Sequence, residues 1–298
     1  MRTRFMPPWA AALLLLAACL IFLPGPAAAD PLLITPSTDA AAMAGSLIGS
    51  GSGITLVPGS ATYAGAASAS GFFSGGAGIL PFNTGIVLTT GDALNLPGPN
   101  TSSGMSPDFS IDNSAPGYTP LQALTGGLAT FNASVLSFRF IPSAGVISFR
   151  FVFGSEEYNE WVGSEFNDVF GFFLNDTNIA LVPGTSTPIT VNTINPSSYS
   201  AYYTDNTAIP SPLNTRLDGL AGAGLALYAT GPVNAGMENT ITLAIADTSD
   251  AIWDAAVFLQ GGSFVQEPPP APAPASLLLL GTGLLGLGAG WGLKKRSK

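Results

Sequence analysis

The sequence predicts an all-β outer domain, a mainly antiparallel β-sandwich of jelly-roll type with few short helices. Short runs of β-branched and aromatic residues recur along the chain, and clusters of Gly, Pro, Asn and Asp separate them. No long amphipathic helices alternate with these runs, which disfavours a parallel α/β sheet. The composition agrees, because only 9% of the 298 residues are charged while 36 are Gly and 25 are Pro.

The individual elements follow from local pattern. An Ala-rich stretch predicts a helix over residues 37–48, capped by Ser37 or Thr38, and residues 119–124 predict one or two helical turns. Strands are predicted over residues 54–57, 85–90, 135–141, 146–153, 169–174, 178–182, 240–245 and 255–259. No internal repeat is visible, which disfavours solenoids and propellers.

The clearest local prediction is a hairpin between residues 135–141 and 146–153, joined by the four-residue turn 142–145. Phenylalanines occupy one face of each strand, and Ser and Arg occupy the other. Such alternation indicates that one face packs on a core and the other is polar.

The N-terminus predicts a secretory signal peptide over residues 1–29. Two arginines precede an apolar run at residues 9–23, and small residues follow it. Ala27 and Ala29 are the small pair that signal peptidase recognises, so cleavage is expected after Ala29. Alternatively, Leu-Ala-Ala-Cys at residues 16–19 is a lipobox, and Cys19 becomes a lipidated N-terminus. The apolar run continues past Cys19, which argues against that alternative.

The C-terminus predicts a membrane anchor in three parts. Residues 265–274 form a Pro-rich spacer, residues 275–293 form one uncharged transmembrane helix, and residues 294–298 form a basic cytoplasmic tail. The outer domain, residues 30–264, is therefore expected outside the cytoplasmic membrane. Gly286 and Gly290 either pack helices together or simply belong to a weak anchor rich in small residues.

This order of segments resembles the PEP-CTERM sorting signal. The resemblance implies that an exosortase-type enzyme cuts the tail near Glu267 and Pro268. Gln266 stands where that motif has its first Pro, so this chain departs from the pattern at one position. Because such sorting is associated with exopolysaccharide, the resemblance also implies a biofilm or matrix role.

Charge and residue types exclude several functions. The outer domain has three arginines and 17 acids, a formal charge of −14, so it repels nucleic acid and anionic lipid and attracts cations. The chain has no His, and its single Cys, Cys19, lies in the predicted signal peptide. The commonest general base, disulfides and thiolate metal sites are thereby excluded from the mature domain, and no catalytic residues are predicted.

Two groups of carboxylates are the candidate site. No Lys or Arg lies between Arg150 and Arg216, so packed acids there would titrate upward unless a cation neutralised them. Ca²⁺, which takes about 6–8 oxygen ligands, would do so. The candidate ligands are Glu156, Glu157, Asp168, Asp247, Asp250 and Asp254.

Two alternatives stay open at this point. In the first, backbone amides and Arg150 or Arg139 satisfy Glu157 and Asp168, and the other acids are solvated. In the second, Glu156, Glu157 and Trp161 serve a carbohydrate-active or carbohydrate-binding protein; a glycosidase would need two carboxylates at about 5 Å or about 6.5–9.5 Å. Tyr158 and Trp161 either stack on sugar or pack within the domain.

Several segments resemble the choice-of-anchor L domain, a family of exported bacterial proteins that share one outer domain and carry different C-terminal anchors. The most specific are FGSEEY at residues 153–158 and NDVFGFF at residues 167–173. The others, in the order expected for the family, are GIVLTTGD at 85–92, GPN at 98–100, VLSF at 135–138, YYTDN at 202–206, LDGL at 217–220, IAD at 245–247, DAAVF at 254–258 and GSF at 262–264. Asn132 and Ala255 depart from the usual Asp and Ser. The resemblance implies surface placement, with no assigned biochemical activity.

Overall fold

The computed structural model describes residues 31–101 and 109–266. Within these ranges the strands form two mainly antiparallel sheets arranged as a sandwich, as the sequence predicts. The strands are β1 Leu33–Pro36, β2 Ile54–Leu56, β3 Thr62–Ala64, β4 Ser70–Ser74, β5 Gly85–Thr89, β6 Thr130–Pro142, β7 Val146–Ser155, β8 Val169–Leu174, β9 Thr177–Asn178, β10 Ile189–Thr190, β11 Tyr203–Asp205, β12 Gly219–Ala221, β13 Leu227–Pro232, β14 Asn239–Thr248 and β15 Ala255–Gln260.

The first sheet has the strand order β1-β4-β5-β15-β7-β12-β11, and β13 also pairs with β7. The second sheet has the order β10-β8-β14-β6-β2, with β3 paired to β6 and β9 to β8. The centres of the sheets are β7 with β15 and β14 with β6. Strands β6, β7 and β14 have 13, 10 and 10 residues and are rich in β-branched or aromatic side chains. Their ends determine where the candidate site lies.

A phenylalanine-rich core fills the space between the sheets. Phe149 of β7 is fully buried and stacks on Phe264, with 3.8 Å between ring centroids and an interplanar angle of 19°. Phe264 also meets Phe140 of β6 edge-on at 4.8 Å, and Phe149 meets Phe172 of β8 at 4.9 Å. The alternating aromatic faces noted in the sequence therefore face each other across the sandwich.

The predicted hairpin is wrong. β6 and β7 are consecutive along the chain, but β6 pairs with β14, β2 and β3, whereas β7 pairs with β15, β12 and β13. The turn therefore carries the chain from one sheet to the other. A short turn and aromatic alternation fit both arrangements, because in each case the aromatic faces pack on a common core.

Two short helices lie within the described residues. Helix α1, Ala40–Leu47, is capped by Asp39, whose Oδ1 accepts a hydrogen bond from the backbone N–H of Ala42 at 3.0 Å; the predicted caps Ser37 and Thr38 were wrong. Helix α2, Thr119–Gln122, lies within the predicted stretch.

The predicted strand over residues 178–182 is much shorter than expected, because β9 ends at Asn178. The side chain of Asn178 accepts hydrogen bonds from the backbone N–H groups of Phe172 and Ala180, at 3.0 and 3.1 Å. These two N–H groups are therefore satisfied by a side chain, whereas in a longer strand they would pair with backbone carbonyls of a neighbouring strand.

In the part of the chain that the structure describes, no helix has the length and apolar character needed to cross a membrane. The predicted signal peptide, Cys19, the processing residues Ala27, Ala29, Glu267 and Pro268, and the predicted transmembrane helix lie outside the described residues.

Candidate functional site

The predicted acidic residues meet at one end of the sandwich. Glu156 and Glu157 follow the end of β7, Asp168 immediately precedes β8, and Asp254 immediately precedes β15. Asp247 lies near the end of β14. Because neighbouring antiparallel strands run in opposite directions, the end of one strand lies beside the start of the next, which brings these carboxylates to the same edge.

Five of the six predicted acids are buried. Glu156, Asp168, Asp247 and Asp254 are 0% exposed and Glu157 is 2% exposed, whereas Asp250 is half-buried. Carboxylates are almost never fully buried unless they are paired. This end of the domain therefore differs from an ordinary solvated acidic surface.

Among the described residues, neither Arg139 nor Arg150 pairs with Glu157 or Asp168. The first alternative is therefore wrong about the arginines. Arg139 forms an ion pair with Glu238 on the surface. Arg150 lies over the rings of Phe82 and Tyr228.

Arg216 acts on this end of the domain. It lies 4.8 Å from the ring centroid of Phe109, and its charge acts on Asp254, where it lowers the pKa. A single guanidinium faces the charge of several carboxylates, so most of their charge must be balanced in another way.

Asp168 is held by two hydrogen bonds from neighbouring strands. Its Oδ2 accepts from the hydroxyl of Ser155 at 2.8 Å, and its Oδ1 accepts from the backbone N–H of Thr248 at 3.3 Å. Burial nevertheless raises the pKa of Asp168 well above its usual value, and the charges of Asp250 and Asp254 raise it further. Asp168 thus links β7 of the first sheet to β14 of the second.

A bulge positions Asp247. The register between β14 and β6 shifts between Ile245 and Asp247, and Asn132, opposite the shift, adopts a left-handed conformation with φ of 52°. The Nδ2 of Asn132 donates to Asp247 Oδ2 at 3.0 Å. Three oxygens here have no hydrogen-bond partner among the described residues: Asn132 Oδ1, Asp247 Oδ1 and Thr248 Oγ1. Burial, followed by the charge of Asp168, raises the pKa of Asp247, and the side chains of Thr90 and Asn132 oppose this rise; Thr90 lies near Asp247 but outside hydrogen-bond geometry.

Asp254 lies against the backbone of the loop after β5. Its Oδ1 accepts from the backbone N–H of Ile111 at 3.1 Å, while within the described ranges its Oδ2 has no hydrogen-bond partner. Its carboxylate lies so close to Gly91 that any Cβ at that position would overlap it. Burial raises the pKa of Asp254 to about 7, against lowering contributions from Ile111 and Arg216.

The two adjacent glutamates have separate surroundings. Glu156 Oε1 accepts from the backbone N–H of Phe109 at 3.0 Å. Glu157 Oε2 has no hydrogen-bond partner in the described part of the chain. Burial raises the pKa of Glu157 to about 10, and the charges of Asp168, Asp250, Glu156 and Glu160 add to this effect.

A small cavity of about 150 Å³ opens beside Glu157. Its lining consists of Glu157, Trp161, Phe166, Asp250, Ile252 and Trp253. Trp161 meets Phe166 at 5.1 Å and Trp253 at 5.5 Å, both edge to face. Glu156 is not part of this lining, so the structure brings only Glu157 and Trp161 of the predicted carbohydrate group to one cavity.

Tyr158 belongs to the core instead. It is fully buried, and its hydroxyl donates to the backbone oxygen of Ile194 at 2.8 Å. It therefore packs within the domain, one of the two roles that the sequence left open.

The buried carboxylates have two ways to avoid uncompensated charge. They stay protonated, as the raised pKa values favour, or they share a cation. In residues 31–101 and 109–266, no group of three or more His, Cys, Asp or Glu side chains has an arrangement that could hold a metal ion. A cation here would therefore need neutral oxygens as well as carboxylates.

The sequence-based prediction does not include several residues that complete the group of buried carboxylates and the aromatic cavity. Asn132 was noted only as a departure from a family pattern, and Thr248, Phe166 and Trp253 were not singled out. Asn132 and Thr248 contribute through a bulge and a strand pairing, for which one sequence gives no direct signal. Trp253 has the clearest available signal, a tryptophan between Asp250 and Asp254.

The comparison with protein families agrees with this structure. The model of the choice-of-anchor L domain matches residues 38–265, which is most of the chain. The chain belongs to this family, and the resemblance carried by residues 153–158 and 167–173 is confirmed. Membership implies an anchored protein of the cell surface. No match was found among curated proteins or among solved structures.

Proposed function

We propose that this protein is an exported, non-enzymatic component of the cell surface or extracellular matrix, and that Ca²⁺ stabilises its outer domain. Family membership supports the surface placement. The observation that carries the calcium proposal is the convergence of five buried carboxylates at one end of the sandwich.

The neutral oxygens around Asp247 support a cation in particular. Asn132 Oδ1, Asp247 Oδ1 and Thr248 Oγ1 are buried and lack hydrogen-bond partners among the described residues. Buried polar atoms are normally satisfied, and Ca²⁺ accepts carboxylate, amide and water oxygens in a flexible shell. One or two carboxylates, together with these neutral oxygens and water, would supply enough oxygen ligands for Ca²⁺, which the carboxylates alone do not.

Thermal unfolding of the full chain tests this proposal. Ca²⁺ at 100 times its dissociation constant is expected to stabilise the native state by about 2.7 kcal/mol relative to chelator, which raises the melting midpoint. An Asp168→Asn, Asp247→Asn double variant should lose this response, and Glu238→Gln on the surface should retain it. An equal midpoint for the original chain in Ca²⁺ and in chelator would leave protonation as the explanation for the buried acids.

The C-terminal anchor and the processing of both ends are part of the proposal. Signal peptidase is expected to cut after Ala29, and residues 275–293 are expected to hold the protein in the membrane unless an exosortase-type enzyme removes them near Glu267 and Pro268. Mass spectrometry of the protein recovered from cells distinguishes an N-terminus at Asp30 from a lipidated Cys19, and an intact from a shortened C-terminus. Recovery of the uncut chain from the cytoplasm would refute export.

A carbohydrate function is the second candidate, and the cavity favours it, since Glu157 and Trp161 both line it. A panel of exopolysaccharides, measured for binding and for release of reducing ends, tests it with a Glu156→Gln, Glu157→Gln double variant as control. Binding without release would support a matrix role. Release that the double variant abolishes would show an enzyme.

A further inference from the structure

The aromatic cavity has a lining that differs chemically from the buried carboxylates beside it. Four of its six lining residues, Trp161, Phe166, Ile252 and Trp253, are apolar or aromatic, and the other two are Glu157 and Asp250. A hydrated metal ion gains little from such walls, because Ca²⁺ and Mg²⁺ prefer oxygen ligands. We propose that this cavity binds an organic ammonium group, either methylated or primary. The proposal shares Glu157 with the five carboxylates of the calcium proposal, whereas the neutral oxygens that support calcium lie around Asp247.

The rings provide the first part of this recognition. Trp161 meets Phe166 at an interplanar angle of 79° and Trp253 at 68°, so the three rings form a corner of edge-to-face contacts. Tryptophan is the best aromatic partner for a cation over its face, and aromatic cages of this kind recognise quaternary ammonium and methyl-lysine.

The carboxylates provide the second part. Glu157 is 2% exposed, and its Oε2 has no hydrogen-bond partner among the described residues. Asp250 is half-buried, and its Oδ1 accepts from the backbone N–H of Ile252 at 3.1 Å. Because the pKa of Glu157 is raised to about 10, an ammonium group that reaches it would take the place of its proton and supply the partner that Oε2 lacks.

Apart from the indole N–H groups of its two tryptophans, the polar groups of the lining side chains are carboxyls, which selects among ligands. A sugar presents hydroxyls that both donate and accept hydrogen bonds, whereas among the lining side chains only the indole N–H groups of Trp161 and Trp253 could donate to an ionised site. An ammonium group donates and is attracted by the negative field of the acids. The cavity of about 150 Å³ fits a compact head group better than an extended chain.

The backbone conformation of Trp253, one of the lining residues, is also unusual. Trp253 adopts a left-handed conformation with φ of 67°, which is unusual for a bulky residue. Its backbone N–H donates to the hydroxyl of Ser110 at 2.9 Å, which helps to hold the turn. Such strain persists only where the surrounding structure enforces it, and it is common at ligand sites.

Calorimetry on the full chain in maltoside micelles tests the proposal. Choline is compared with 3,3-dimethylbutanol, a neutral molecule of the same shape, and choline is expected to bind about tenfold more tightly or better. Equal binding of the neutral molecule, or no measurable binding of any ammonium compound, would overturn the proposal.

Two further ammonium ligands, compared with choline, identify the source of the ammonium group. Choline represents a lipid head group, Nα-acetyl-lysine methylamide a protein side chain, and glucosamine an amino sugar with N-acetylglucosamine as its neutral counterpart. Preference for N-acetylglucosamine over glucosamine would contradict an ammonium site and favour the carbohydrate function.

Variants assign the binding to this cavity. Trp161→Leu keeps an apolar side chain but removes the ring, and it should weaken choline binding about tenfold, whereas Trp161→Phe should retain part of it. Glu157→Gln should also weaken binding, and Phe131→Leu, an exposed aromatic outside the cavity, should not. Circular dichroism confirms that each variant is folded, so a loss in a folded Trp161→Leu or Glu157→Gln variant supports the proposal. Unchanged binding in both variants would refute it.

Discussion

The middle of the sandwich and its acidic end are both buried, but they are stabilised in different ways. In the middle, Phe149, Phe172 and Phe264 stack on one another and need nothing beyond the chain itself. At the end, Asp168, Asp247 and Asp254 are equally buried but carry charge that depends on protons or a cation. The comparison teaches that burial alone does not measure stability, because the second region is expected to respond to pH and cations and the first is not.

The largest effect is expected in the middle. Phe149→Ala removes a fully buried ring that stacks at 3.8 Å on Phe264, and the loss should be about 3–5 kcal/mol in the free energy of unfolding. Urea denaturation of the full chain measures it, and the loss should be the same at low and high pH. Phe131→Ala, at a ring that is 37% exposed, is the control and should cost about 1 kcal/mol or less.

The acidic end should show the next largest effect, as a dependence on pH in the presence of chelator. The pKa of Asp254 is raised to about 7 in the folded state, so the folded state holds its proton more tightly than the unfolded state. Stability from this group is therefore fully present below pH about 4 and is lost as the pH rises to about 7, by about 1.4 kcal/mol for each pH unit.

Denaturation midpoints between pH 4 and pH 8 measure this slope. Asp254→Asn, which keeps an acceptor for the N–H of Ile111, should make the slope shallower, whereas Phe149→Ala should leave it unchanged. An equal slope in Asp254→Asn and the original chain would show that Asp254 does not titrate in this range.

A smaller effect is expected at Gly91, where the Asp254 carboxylate lies against the backbone. Gly91→Ala places a Cβ where the Asp254 carboxylate lies, so the carboxylate must move, and overpacking of this kind costs about 1–3 kcal/mol. Gly45→Ala in helix α1 is the matched control, because a Cβ there meets nothing within 4 Å and alanine favours the helix by up to about 1 kcal/mol. Thermal unfolding should therefore move in opposite directions for the two variants, and a stable Gly91→Ala would contradict the packing of Asp254.

The contrast between the middle of the sandwich and its acidic end also explains which features the sequence could predict. β8 has the predicted bounds, residues 169–174, because its apolar run is continuous and bounded by polar residues. Seven strands, β1, β3, β4, β10, β11, β12 and β13, escaped prediction, and β3, β11 and β12 have only three residues, too few to show a period. The pairing of β6 was also wrong, since strand partners depend on the whole fold.

The candidate site was predictable in its charges but not in its arrangement. Glu156, Glu157, Asp168, Asp247 and Asp254 follow or precede recognisable strands without basic neighbours, so their grouping could be anticipated. The roles of Asn132 and Trp253 depend on a bulge and on left-handed backbone, at φ of 52° and 67°. Asn adopts this conformation more readily than most residues, but one sequence does not place it in a bulge, and the conformation is unexpected for Trp253 because bulky residues seldom adopt it.

The smallest effect is expected for acids that stay on the surface. Glu238 pairs with Arg139, and both side chains are about half exposed, at 48% and 50%. Water and salt screen such a pair, so Glu238→Gln should change the free energy of unfolding by about 1 kcal/mol or less, and less still in high salt. Urea denaturation at low and high ionic strength measures this. A loss as large as that of a buried carboxylate variant would show that exposure does not separate the two kinds of acid, and the contrast between the surface and the acidic end would fail.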